Sequence, residues 1–147
     1  MPQSLSLVLI HLIFSTKDRA PLLTPAIRTE LYPYLASVAR DTNCECYRIG
    51  GIADHVHLAI RLSRTTTIAD LVEQLKTCSS KWLKPESRNF AWQRGYAAFS
   101  TNPSDANTLL HYIETQETHH QKYDFQEELR ALLKKYGVDH DERYVWD

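Results

Sequence analysis

The order of hydrophobic periodicities predicts an α+β fold: a β-α-β-β-α-β antiparallel sheet with additional C-terminal helices. Three observations carry this. Segments 26–40 and 67–84 repeat apolar residues at three- and four-residue steps, the spacing of amphipathic helices. Four apolar or β-branched runs frame them: 4–16 before the first helix, 43–52 and 54–62 between the two, and 95–101 after the second. Two more helical segments, 103–120 and 124–136, close the chain. This is the split βαβ arrangement of ferredoxin-like folds, in which the first and third strands are central.

Taken in order, the run 4–16 is almost continuously apolar, which suits a central strand covered on both faces. Thr24 followed by Pro25 is an N-cap with proline at the first helical position. Ile27, Leu31, Tyr34, Leu35 and Val38 form the apolar stripe of the first helix, and Pro33 within it predicts a kink. Gly50 and Gly51 predict a turn or bulge that joins strands 43–52 and 54–62 into a hairpin. Thr67 caps the second helix, Ile68, Leu71, Val72 and Leu75 are its apolar face, and Pro85 stops it. The stretch from Phe90 to Trp92 reads as a loop or docking segment. Pro103 opens the third helix, and Gly137 ends the last one as a C-cap.

A chain of 147 residues predicts one domain over 1–147, with a core large enough to fold unaided. No apolar run approaches the ~20 residues needed to span a bilayer, so no membrane partner is expected. The N-terminus lacks a basic region and a small-residue cleavage site, so no signal peptide is expected. Three cysteines, Cys44, Cys46 and Cys78, predict buried or half-buried thiols in a reducing cytoplasm. With no further cysteine pair, a structural zinc knuckle is not expected. A net charge of -1 argues against an extended nucleic-acid surface but leaves room for a local basic patch. Lys76, Lys81, Lys84, Arg88 and Arg94 form such a stretch, although a solvated helix face is the commoner meaning of such a run.

The chemistry centres on His55-Val56-His57. On a strand, residues two apart share a face, roughly 6.6–6.8 Å apart. Two imidazoles so placed are half of a divalent-metal site, or else two satisfied histidines on a half-buried strand. The topology puts them on a central strand, facing away from the two crossover helices, where the C-terminal helices are free to cover them. In the third helix, Tyr112 and Gln116 lie four apart on one face. A phenol can act as a nucleophile and an amide oxygen as a third metal ligand, although such a pair alone is ordinary on a helix. Leu109 and Ile113 would pack toward the sheet, and His119 and His120 are expected to serve packing or to support the ligands.

His55-Val56-His57 resembles the H-hydrophobic-H signature of HUH nucleases, and Tyr112 with Gln116 resembles the tyrosine helix of the single-tyrosine, IS200-like transposases of bacterial insertion sequences. The run from His11 to Arg19 is similar to that family's first strand and loop, and the tail from Tyr136 to Trp146 to a common ending in it. The resemblance covers essentially the whole chain. It implies a divalent metal, Mg2+ or Mn2+, bound by His55, His57 and Gln116, with Tyr112 as nucleophile. It implies cleavage and rejoining of single-stranded DNA at hairpin-flanked ends through a 5′-phosphotyrosine. It further implies a homodimer with joined sheets, in which one subunit's tyrosine helix can complete the other's site, in the bacterial or archaeal cytoplasm. Lys17, Arg19, Lys76, Lys81 and Lys84 are the candidate DNA-backbone contacts. Two other readings compete: a host-serving HUH endonuclease (a domesticated repeat-associated tyrosine transposase or a nickase) and a non-catalytic RRM-like binding module. The second is disfavoured because the central strand carries histidines where an RNA-recognition motif carries stacking aromatics.

Overall fold

The structure, a computed structural model, describes residues 2–147. Its sheet has four antiparallel strands in the order β2-β3-β1-β4: β1 is Leu9–Ser15, β2 Glu45–Ile52, β3 His55–Arg61 and β4 Ala97–Thr101. Helices α1, Pro25–Asp41, and α2, Ile68–Leu83, are the crossovers. The ferredoxin-like α+β expectation holds, with β1 and β3 in the middle. No helix of the described residues is long and apolar enough to cross a membrane.

Period-two alternation divides the sheet into two faces. Ile10, Leu12 and Phe14 of β1, with Val56, Leu58 and Ile60 of β3, pack against Leu31, Leu35 and Val38 of α1 and Leu71, Val72 and Leu75 of α2. Phe90 and Trp92 dock into this core, and Trp92 Nε1–H donates to Ser79 Oγ at 2.9 Å, so the segment after α2 is the docking piece its aromatics suggested. On the other face, helices α3, Ala106–Glu114, α4, Gln116–His119, and α5, Phe125–Tyr136, lie over His11, Ile13, His55, His57 and Ala59.

Local chemistry explains most boundaries. Thr24, Thr67 and Asp124 each cap a helix by accepting a backbone N–H three residues on, from Ile27, Asp70 and Glu127 respectively. Gly137, with φ 66°, ends α5 in the left-handed region that favours glycine. Cys44, Cys46 and Cys78 are free thiols, buried or half-buried.

Four local expectations change. β1 begins only at Leu9; Leu5, Leu7 and Val8 are exposed, because the strand is held only where β3 and β4 pair with it. α1 runs unbroken through Pro33, which is exposed, so water can satisfy the carbonyl that the missing N–H leaves free. The predicted third helix breaks at Thr115, whose hydroxyl bonds back to the His111 carbonyl at 2.9 Å, giving α3 and α4. Gly50 and Gly51 are not a turn: they pair with His57 and Val56 inside β2, and the chain reverses at Ala53 and Asp54. The irregularity in that ladder falls at Tyr47, between Cys46 and Arg48. Gly50 is required instead by a close approach of α3, since a Cβ there would lie 2.1 Å from the Ile113 carbonyl oxygen.

Candidate active site

His55 and His57 project from β3 onto the helix-covered face, and both are fully buried. Each is oriented through Nδ1. The Asp54 carboxylate accepts a hydrogen bond from His55 Nδ1 at 2.7 Å. His57 Nδ1 lies 2.7 Å from Nε2 of His11, whose ring stacks beside it from β1. Both Nε2 atoms are thereby turned toward the helices.

Three helical residues meet them. Gln116 Nε2–H donates to the Tyr112 carbonyl at 3.3 Å, which turns Oε1 inward, 2.9 Å from His120 Nε2 and 3.3 Å from His55 Nε2. Glu128, in the first turn of α5, is 4% exposed. Its Oε1 lies 2.9 Å from His57 Nε2, 3.2 Å from His120 Nε2 and 3.4 Å from His55 Nε2. The other carboxylate oxygen accepts the hydroxyl of Tyr112 and lies 3.4 Å from His119 Nε2. The Tyr112 ring stands edge-on to His57 and His11, with centroids 5.7 and 5.8 Å away.

Burial sets the proton affinities of this cluster. It drives the His57 imidazole down to about 4 and that of His11 to about 3, in His11 with further repulsion from His57. His55 moves up, because hydrogen bonds to Asp54 and Glu128 outweigh its desolvation. The imidazoles around Glu128 hold its carboxyl well below the usual carboxylate range despite its burial. Tyr112 moves the other way: burial first, and then the negative Glu128, raise its hydroxyl well above an ordinary phenol.

His55, His57, His120 and Glu128 offer ligand atoms within 4.8 Å of one another. A metal held at about 2.1 Å spaces its ligand atoms roughly 3–4.2 Å apart, so a small contraction would make this a divalent-cation site. The donors fit: three imidazole nitrogens and one carboxylate, with Asp54 and His11 fixing two rings from behind.

Of the residues singled out in the sequence, Tyr112, His55, His57 and Gln116 come together. His120, expected to serve packing or to support the ligands, joins the group. Glu128 and His11 were not singled out as site residues, although each carries a signal. Glu128 follows Phe125 by three and precedes Leu132 by four, so it is a carboxylate on a helix stripe that is otherwise apolar. His11 shares the parity of Ile13 in an apolar strand.

The basic candidates are dispersed. Lys17 and Arg19 sit in the tight turn after β1, with Arg19 over the Trp146 ring at 5.8 Å. Lys81 and Lys84 are exposed at the end of α2, on the layer opposite the histidines. All three protons of the Lys76 ammonium are engaged by the carbonyls of Gln93, Arg94 and Gly95, at 2.8, 3.3 and 2.7 Å.

A sequence model of the family described as "Transposase IS200 like" matches residues 4–116. The chain belongs to the IS200-like transposase family. That family's model takes in both strand histidines, the tyrosine helix and Gln116, and it stops short of His120 and Glu128. Among solved structures, one similar chain is a protein from Deinococcus radiodurans R1 described as a transposase, with a TM-score of 0.64 and 22% identity, over 79% of this chain and 95% of that one. Another is a REP-associated tyrosine transposase bound to a REP hairpin, with a TM-score of 0.61 and 16% identity, over 82% of this chain and 74% of that one. At these identities they show the fold alone. No curated protein matches the chain.

Proposed function

We propose that this IS200-like transposase cleaves and rejoins single-stranded DNA at hairpin-flanked insertion-sequence ends through a covalent 5′-phosphotyrosine on Tyr112. The observation that supports it best is a juxtaposition: the Tyr112 hydroxyl and the Nε2 atoms of both strand histidines converge on one buried carboxylate within a single chain.

In this reading His55, His57 and Gln116 hold a divalent metal, Mg2+ or Mn2+. When bound, it supplies charge stabilisation at the non-bridging oxygens of the scissile phosphate. Tyr112 attacks phosphorus, forming the phosphorus–tyrosine oxygen bond as the bond to the 3′ oxygen breaks. The phenolic proton ends on the released 3′-hydroxyl. The ester energy is retained, so a 3′-hydroxyl can later reverse the step and rejoin strands without ATP. An unpaired strand suits such a site because its phosphate can be presented without unwinding a duplex. Lys17, Arg19, Lys81 and Lys84 are the residues proposed to follow the DNA backbone; Lys76 is withdrawn from that role by its three carbonyl partners. A homodimer with joined sheets belongs to the same proposal, and the outer strands β2 and β4 are where a second copy would extend the sheet. Because each chain brings its own Tyr112 beside its own His57, that dimer would need no exchange of tyrosine helices.

The test is incubation with single-stranded DNA from the element's flanks and Mn2+, read on a denaturing gel. A covalent adduct is expected with the unaltered protein, and none with Tyr112→Phe or with EDTA. An adduct that survives in Tyr112→Phe, or equal cutting of a perfect duplex, would overturn the proposal. A host-serving enzyme would give the same adduct and differ only in the DNA that flanks its coding region.

A further inference from the structure

We infer that Glu128, on a helix beyond the family-matched stretch, is both a ligand of the divalent metal and the positioning residue of the nucleophile. Its Oε1 faces the metal site and its Oε2 holds the Tyr112 hydroxyl. The inference rests on the reading of Tyr112 and the metal given above and adds α5 to the reaction centre.

The first argument is charge. A carboxylate this buried is costly unless it is compensated. Its side-chain partners are His55, His57, His119, His120 and Tyr112, with neither Lys nor Arg among them. Among the described residues, nothing that touches Glu128 is a permanent cation.

The second argument is lone pairs. In the neutral His55 ring that a metal requires, the one proton is committed to Asp54 through Nδ1, and the Gln116 amide N–H is committed to the Tyr112 carbonyl, so His55 Nε2 and Gln116 Oε1 both present lone pairs inward. They meet Glu128 Oε1, another acceptor, together with His57 Nε2 and His120 Nε2. Protons satisfy such a cluster only in part, whereas one divalent cation satisfies every inward-facing atom.

The third argument is division of labour within the carboxylate. Oε1 gathers the three imidazoles, while Oε2 takes the phenol. A ligand bound through Oε1 leaves Oε2 free to keep Tyr112 at a fixed offset from the metal. Asp124 caps the helix that delivers Glu128, and Phe125, Leu129 and Leu133 seat it against Ile13 and Phe99. The carboxylate is therefore delivered by a packed element, as a positioning role requires.

The experiment measures metal binding without DNA. Mn2+ affinity is read by calorimetry, and the ligand field by the visible spectrum of the Co2+ complex, for the unaltered protein and for Glu128→Gln, Glu128→Ala and Thr67→Ala. Glu128→Gln keeps the shape and removes the charge; far-UV circular dichroism and thermal melting report its folding. Glu128→Gln is expected to weaken Mn2+ binding at least about tenfold and to change the Co2+ spectrum, with Glu128→Ala weaker still and Thr67→Ala unchanged. At saturating Mn2+, the adduct should still form more slowly in Glu128→Gln than in the unaltered protein, because the phenol has lost its anchor. Should both Glu128 variants fail to fold, Glu128→Asp decides: drawing the carboxylate back by one methylene must weaken Mn2+ binding and change the Co2+ spectrum. Unchanged Mn2+ affinity and Co2+ spectrum in Glu128→Gln, or in Glu128→Asp where the other variants do not fold, would overturn the inference. Lost affinity in Glu128→Gln together with an adduct surviving in Tyr112→Phe would instead leave Glu128 as a ligand and remove Tyr112 as the nucleophile.

Discussion

The two faces of one sheet do opposite work. Toward α1 and α2, β1 and β3 present Ile10, Leu12, Phe14, Val56, Leu58 and Ile60, and the helices answer with leucines and valines. Toward α3, α4 and α5, the same strands present His11, His55 and His57, which meet Gln116 and Glu128 on the helices and His120 just after α4. Both faces are buried, but the first gains from burial roughly in proportion to apolar area, while the second must satisfy each polar atom individually. The first face is thus wholly apolar, while the second sets its polar cluster between two smaller apolar ones, Ile13 and Phe99 with Phe125, Leu129 and Leu133, and Ala59 with Leu109 and Ile113.

Adjacent residues test this most sharply. Leu58 and His57 are neighbours in sequence, fully buried, and point to opposite faces. Leu58→Ala should cost about 2–5 kcal/mol in chemical denaturation, while the folded fraction keeps its Mn2+ affinity. His57→Ala should cost roughly 1–3 kcal/mol, through the unpaired His11 and Glu128 it leaves, and should abolish metal binding and adduct formation. Similar losses of both properties in the two variants would mean that the faces are not functionally separate.

Gly50→Ala probes how closely α3 must approach. The new methyl would collide with backbone rather than with a flexible side-chain tip, so α3 must lift away from β2. A loss of about 1–3 kcal/mol is expected, with slower adduct formation as Tyr112 moves off the histidines. Unaltered stability and rate would show that α3 has slack at this crossing.

Acidification should act on the polar face alone. The pKa of His57 is depressed to about 4 and that of His11 to about 3, against about 6.5 in an unfolded chain. Between those values the unfolded chain binds the extra protons, so the stability they contribute is complete above about pH 6.5 and is lost as pH falls toward 4. Glu128, also depressed, adds a loss only below the usual carboxylate range, while the raised His55 opposes the trend. The melting temperature of the metal-free protein should therefore fall by several degrees from pH 7 to pH 5. A flat profile over that range would mean that the two histidines are not held neutral.

Much of the fold was legible because it is written locally. Helix stripes, threonine caps and strand alternation depend on neighbours a few residues apart, and they gave the element order that the sheet topology bears out. Two errors lay where distant partners decide, in how far β1 extends and why Gly50 is a glycine, while the helix break at Thr115 came from a local side-chain bond to the backbone. The paired histidines and the Tyr112–Gln116 spacing were visible because each lies within one element. Glu128 was not. In sequence it is one of two acidic residues in the first turn of α5, where any helix welcomes negative charge. Its carboxylate reaches His57 across 71 residues of chain, and only the docking of α5 through Phe125, Leu129 and Leu133 brings it there. The sequence by itself determined which residues share a helix or strand face; tertiary packing decided which faces meet, because a buried charge is assigned its partners by the whole fold.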